Sequence, residues 1–311
     1  MKKFLIFIIL FVGISFTALS NEMTTKILFK VNKNIITNVD IINEANYLKA
    51  LNKNLQNIDV KQALLFAENS LIREIIKKDE IEKFYSVNYE SSEIDIFINE
   101  IINNLGYDNE IEFKNYLSEY GIKIEDVKKK LIIEKTWNQL IYERFKDKIK
   151  IDKNEISKKL DDLLENNSYQ KSFKLSEIVF SEKDKQKFDK KYNEILSSIK
   201  NVGFKNTAVI HSISDTSRNG GEIGWINKNQ LSDKIYSEIK NLKKDEFTNP
   251  ILTAGGNIIL QLNEIKEVLV KEIDKEKELK NIIKVERNRQ LNEFSIIYYR
   301  KLENKSYVQK L

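Results

Sequence analysis

The only histidine of the chain, His211, is followed directly by Ser212, with Asp215 three residues further on. A base beside a hydroxyl with a carboxylate nearby is the residue set of a hydrolytic triad. Such chemistry also needs an oxyanion hole and a strained nucleophile turn, and no motif here supplies either. The run Gly220-Gly221-Glu222-Ile223-Gly224 is glycine-rich, but no Lys-[Ser/Thr] follows it and it does not open a helix directly after a strand. It is therefore not a phosphate loop. One histidine, no cysteine and scattered carboxylates make no ligand cluster, so a metal site is not expected. Disulfides and thiolate sites are excluded outright.

Six of the nine glycines fall between Gly203 and Gly256, and the only proline, Pro250, lies among them. This stretch must hold the tight turns of the molecule. It reads Phe204-x3-Ala208-x3-Ser212, then Asn219-Gly220-Gly221-Glu222-Ile223-Gly224-Trp225, a polar helix with Leu231 and Ile235, Phe247-Thr248-Asn249-Pro250-Ile251, and Ala254-Gly255-Gly256-Asn257-Ile258-Ile259-Leu260. The order resembles a parvulin-type peptidyl-prolyl isomerase domain, whose signature is a GGDLGW-like loop followed by a Pro-strand-Gly-x-His strand. Rotating an X–Pro bond meets a barrier of about 20 kcal/mol and needs no nucleophile. It needs a pocket for the ring and polar groups placed where charge shifts in the twisted amide. The resemblance implies that Ile223, Leu231 and Ile235 take the three apolar pocket positions, which read by themselves are simply core. It also exposes three departures. Glu177 stands at the histidine of the first strand, Ile258 at the histidine of Gly-x-His, and Ser214 at the loop's Asp or Cys. A one-residue slip would give that last place to Asp215, but no slip restores a histidine. The resemblance therefore implies weak or absent turnover.

Around this stretch the pattern is helical. Val60, Ala63, Leu64, Ala67, Leu71, Ile75 and Ile76 mark one long amphipathic helix, and Val127, Leu131, Trp137, Leu140, Ile141 and Phe145 another. Shorter helices fit Glu93–Leu105 and Glu110–Glu119, and two short strands fit Ile27–Asn32 and Ile35–Thr37. From Phe173 the period changes to two, with Phe173, Leu175 and Glu177 on one face of a strand. A helix over Lys185–Lys200 follows, then Ala208–Ile213 as strand or extended segment, with Thr248–Leu252 and Ile258–Ile265 completing a small antiparallel sheet. Leu279, Ile282, Leu291, Phe294, Tyr298 and Leu302 then form a stripe that a lone helix cannot bury, so the last helix must dock on the N-terminal ones. This layout is similar to that of the SurA-type periplasmic chaperones. The PrsA-type foldases share the module but need an anchoring cysteine, and the PpiD-type foldases keep an N-terminal membrane helix.

The expected fold class is α+β: a helical domain at 21–170, a parvulin-like module at 171–268, and a C-terminal helix at 269–311 that returns to the first domain. Met1–Ser20 reads as a leader, with Lys2 and Lys3 before an apolar run and Ala18-Leu19-Ser20 as a cleavage site, giving a periplasmic protein that starts at Asn21. An uncleaved anchor is the alternative. The net charge of +5 is spread over interleaved lysines and acids, which excludes the basic face of a nucleic-acid binder. Neither cofactor nor ATP is expected. The expected partners are unfolded outer-membrane or secreted polypeptides, held by a chaperone; an active prolyl isomerase for secreted proteins is the alternative.

Overall fold

The computed structural model describes residues 24–311 apart from 57, 88–92, 166–168, 183 and 270–273. The expected leader at 1–20 lies outside the described residues. The chain opens with β1 (Ile27–Val31) and β2 (Asn34–Thr37), joined by a tight turn in which Asn32 adopts φ 52°. Thr37 then starts α1 (Asn38–Leu51) with a reciprocal capping box to Asp40. The other helices of this part are α2 (Val60–Ile81), α3 (Ile94–Leu105), α4 (Glu110–Glu119), α5 (Ile124–Phe145) and α6 (Lys153–Glu165).

A second body follows: β3 (Tyr169–Phe180), α7 (Lys185–His211), β4 (Glu222–Asn227), α8 (Asp233–Ile239), β5 (Ile251–Thr253) and β6 (Gly256–Leu269). The chain ends with α9 (Lys275–Glu303) and β7 (Val308–Lys310). Asp59, Asn109, Asp184 and Asp274 each accept the backbone N–H three residues on, which fixes where α2, α4, α7 and α9 begin.

The two sheets are antiparallel throughout. One is β2-β1-β7, so both ends of the described chain meet in it; the other is β4-β3-β6-β5. The frame formed by the first helices and α9 shares one core, in which Trp137 and Ala67 of α5 and α2 meet Tyr298 and Tyr299 of α9. Phe145 stacks on Phe294 with ring centroids 4.9 Å apart. A second cluster, with Phe113 and Leu117 at its centre, joins α3 and α4 to α5. The module has two cores of its own, one on each side of its sheet: Phe173, Leu175, Leu260 and Leu262 with Ile239, and Ile178, Phe180 and Ile259 with Ile195, Phe204 and Ala208.

The largest departure from the sequence expectation lies in α7. Ala208–Ile213 was expected to be extended, but α7 continues to His211. Gly203 has φ 81° and ψ 166°, a conformation open to glycine, and it kinks the chain so that a new helical run starts. Thr207 Oγ1 donates to the Gly203 carbonyl at 2.8 Å within that run. Its apolar residues are buried on two sides, Ala208 in the module and Ile210 against Leu55 and Phe66 of the frame. A helix covered on both sides loses the polar face that would identify it. The last strand of the sheet also runs further than expected, as β6 reaches Leu269, and β5 begins one residue after Pro250.

Candidate functional site

The site is built on the middle of β3. Glu177 is buried there, opposite Leu260 of β6, and its N–H donates to the Gly221 carbonyl at 2.7 Å. That close approach explains the double glycine. Gly221 has φ 76°, and a β-carbon on it would lie 2.1 Å from the carbonyl oxygen of Glu177. The loop 212–220 is thereby pressed onto β3. Ser214 Oγ donates to Glu177 Oε1 at 2.6 Å and Thr216 Oγ1 at 2.8 Å. Burial pushes the Glu177 carboxyl above the usual range, against the opposing pull of hydrogen bonds from Ser214, Thr216 and Asn292; the nearby Asp215 adds to the rise.

A chamber of about 1750 Å³ opens beside this carboxyl, between the module and α9. Glu177, Ile258, Ile223, Leu231 and Ile235 all line it, while Ser214 lies fully buried behind Thr216. With Glu177 on β3, the five lining residues come from five places. Ile223 projects from the edge strand β4, Leu231 precedes α8, Ile235 lies on α8, and Ile258 sits on β6 opposite Val179. Leu175 and Leu260 add the floor; Ile282 and Val285 of α9 and the extended residues 149–152 face them from the frame. Among the described residues, its walls hold no aromatic side chain. Arg289 on the α9 side is committed to Glu286 and Glu293, both at 2.7 Å.

The triad suggested by His211, Ser212 and Asp215 is not assembled. Nδ1 of His211 lies 3.2 Å from the Lys191 ammonium, the Ser212 hydroxyl accepts from the Val179 N–H at 3.0 Å, and Asp215 pairs with Lys77 at 2.9 Å. Among the described residues no group of three or more His, Cys, Asp or Glu side chains is arranged to hold a metal. No described helix is long and apolar enough to cross a membrane.

Four residues at this site were invisible to the sequence reading: Arg73 and Lys77 of α2, and Asn292 and Ser295 of α9. Lys77 and Ser295 are each only 3% exposed although polar, and Ser295 interrupts the apolar run from Phe294 to Tyr298, whereas Lys77 opens the charged run Lys77-Lys78-Asp79-Glu80. For Ser295, a polar residue inside an apolar run was the one signal available.

Comparison with known proteins matches residues 172–264 to the PPIC-type PPIase domain. The chaperone SurA of Pseudomonas fluorescens is 26% identical over 160 residues, 49% of this chain and 38% of that protein. SurA of Pseudomonas aeruginosa is 24% identical with the same coverage. The chain thus spans well under half the length of the curated relatives it matches. Among solved structures, a SurA-like chaperone of Campylobacter jejuni is 17% identical over 92% of this chain and 98% of its own, with a TM-score of 0.36. A PpiC-type isomerase domain is 25% identical over 31% of this chain and 93% of its own, with a TM-score of 0.28. The module at 172–264 is accordingly a PpiC-type peptidyl-prolyl isomerase domain, and the α+β chain that carries it is a relative of the SurA-type chaperones.

Proposed function

We propose that the protein is a periplasmic chaperone that shelters unfolded outer-membrane or secreted polypeptides, with weak or absent prolyl isomerase turnover. The observation that carries this reading is the chamber. Pockets for small ligands run to about 300–1,000 Å³, and this one holds about 1750 Å³ between two bodies. It suits a stretch of polypeptide better than a single ring. Its lining mixes aliphatic side chains such as Ile223, Leu231 and Ile258 with polar ones such as Asn288 and Arg289, and so offers both apolar contact and hydrogen bonds to a chain. The polar positions that isomerase chemistry would use argue the same way. Glu177 is enclosed and already bonded to Ser214 and Thr216, and Ile258 can neither donate nor accept a hydrogen bond.

The reading divides the chain into a leader at 1–20, a helical domain at 21–170, the module at 171–268 and the returning helix at 269–311. The leader's composition and its Ala18-Leu19-Ser20 site support the compartment, and N-terminal sequencing of the fractionated protein tests it. A foldase reading has one observation in its favour, since Ile223, Leu231 and Ile235 all line the same chamber. Residues 21–311 should suppress aggregation of an unfolded β-barrel protein and barely accelerate proline-limited refolding. Turnover at the rate of an ordinary parvulin, without suppression of aggregation, would decide for the foldase.

A further inference from the structure

Away from the chamber, α7 folds back on itself. Along one straight helix Lys191 and His211 would stand about 30 Å apart. The bend at Gly203 instead brings the second half of α7 beside the first, with Ser198 Oγ and Thr207 Oγ1 3.0 Å apart across it. The Lys191 Nζ and the His211 Nδ1, 20 residues apart in the chain, thereby come within 3.2 Å.

A half-buried ammonium normally rests against a carboxylate. Among the described residues none lies within ion-pairing distance of Lys191, and the hydrogen-bond partner of its amine is the imidazole. Between an ammonium and a neutral imidazole the ammonium donates and Nδ1 accepts, so the ring proton rests on Nε2. Burial keeps that imidazole neutral, and the Lys191 charge adds to the effect. Burial also lowers the pKa of the amine. The Arg73 guanidinium of α2 pulls the same way, against Glu194 of α7, Glu182 and Glu303 of α9. Desolvation beside another cationic group is how an amine becomes a nucleophile at neutral pH. Both side chains are half-buried rather than sealed, and neither lines the chamber.

We propose that Lys191, held by His211, is a modification site that accepts carboxylic acyl groups from activated donors such as anhydrides, acyl phosphates and thioesters. The uncharged amine attacks the acyl carbon, forming the C–N bond while the carbonyl electron pair moves onto oxygen. As that pair returns, the bond to the leaving group breaks and the leaving group departs with its electrons. The proton lost by nitrogen moves onto Nδ1 of His211 and from there to solvent. The products are an Nε-acyl lysine, the released carboxylate, phosphate or thiolate, and one proton. The site stands independently of the chaperone reading.

Trace labelling of the chain from residue 21 with acetic anhydride, followed by peptide mass mapping, tests it. Lys280 of α9, with 80% of its side chain exposed, serves as the internal standard. At pH 7 the ratio of Lys191 to Lys280 labelling should be at least threefold higher in the folded chain than in the same chain in urea. An equal or lower ratio overturns the site. From pH 6 to pH 10 the folded ratio should fall, because the amine fraction of Lys280 keeps rising after that of Lys191 has levelled off. A constant or rising ratio overturns it as well. His211→Glu places a carboxylate against the amine and fixes it as ammonium, so the ratio at pH 7 should drop at least threefold. An unchanged ratio in a variant that melts like the wild type overturns the role of His211. If that variant does not fold, the two wild-type measurements decide.

Discussion

Burial, aided by the Lys191 ammonium, holds the imidazole of His211 neutral and lowers its pKa from 6.5 to about 3. Burial also lowers the pKa of Lys191 itself. The consequence for stability has a definite sign. Between pH 6.5 and 3 the unfolded chain takes up a proton on His211 that the folded chain refuses. Its contribution is therefore intact above pH 6.5 and is lost as pH falls toward 3, at up to about 1.4 kcal/mol per pH unit. Glu177, whose carboxyl is raised, has the opposite sign: its contribution is full below 4.5 and is lost as pH rises. Denaturant unfolding of His211→Gln should thus show a flatter fall in stability from pH 6 to pH 4 than the wild type does. A parallel fall would show that His211 is solvated. At Glu177 the test is one of hydrogen bonding. Glu177→Ala takes an acceptor from the buried Ser214 hydroxyl and the half-buried Thr216 hydroxyl and should cost about 1–3 kcal/mol. Glu177→Gln keeps an acceptor oxygen and should cost less, and thermal unfolding of both variants ranks them.

At the scale of the element, the turn at Gly220-Gly221 decides whether β4 can reach β3. A side chain on Gly221 meets the Glu177 backbone at 2.1 Å, and that backbone is the middle of the central strand. Gly221→Ala should therefore cost well over the roughly 0.5 kcal/mol that bounds an ordinary surface substitution. The loss should appear in the module's cooperative unfolding, while Gly106→Ala, with open space around it, should cost only its backbone strain. The sequence announced this turn because glycines are rare elsewhere, and the strongly periodic helices α2 and α5 announced themselves by spacing. The second half of α7 did not. Val209-Ile210 is β-branched, and burial on both sides erased the alternation that separates helix from strand. β7 was missed for a different reason: three exposed residues, Val308–Lys310, carry no pattern, and only the free side of β1 makes them a strand. Ile223, Leu231 and Ile235, singled out by their order in the sequence, all line the chamber. Arg73, Lys77, Asn292 and Ser295 were not singled out, since polar residues on a helix read as its solvent face until a partner far along the chain covers them.

Over the whole molecule, α9 belongs to both bodies at once. Toward the frame it inserts Phe294, Tyr298 and Tyr299, with Tyr298 donating to Glu80, and β7 behind it closes the first sheet. Toward the module it offers Ile282 and Val285 to the chamber and Asn292 and Ser295 to the loop. The two bodies depend on it unequally. Burying each large apolar side chain stabilises by about 1.5–3 kcal/mol, and the frame core draws several from α9, whereas neither core of the module contains a residue of that helix. Removing residues 271–311 should therefore unfold or strongly destabilise the frame, since total stabilities are only about 5–15 kcal/mol. The module should survive the same cut. A fragment of residues 170–268 should give a dispersed amide spectrum and a cooperative melt, with the pairing of β3 to β6 intact. The deletion chain should show that module transition alone, and it should no longer suppress aggregation, because the chamber has lost one of its walls. An unfolded fragment, or a deletion chain whose helical transition is unchanged, would show that α9 is an accessory to the frame rather than the part that completes it.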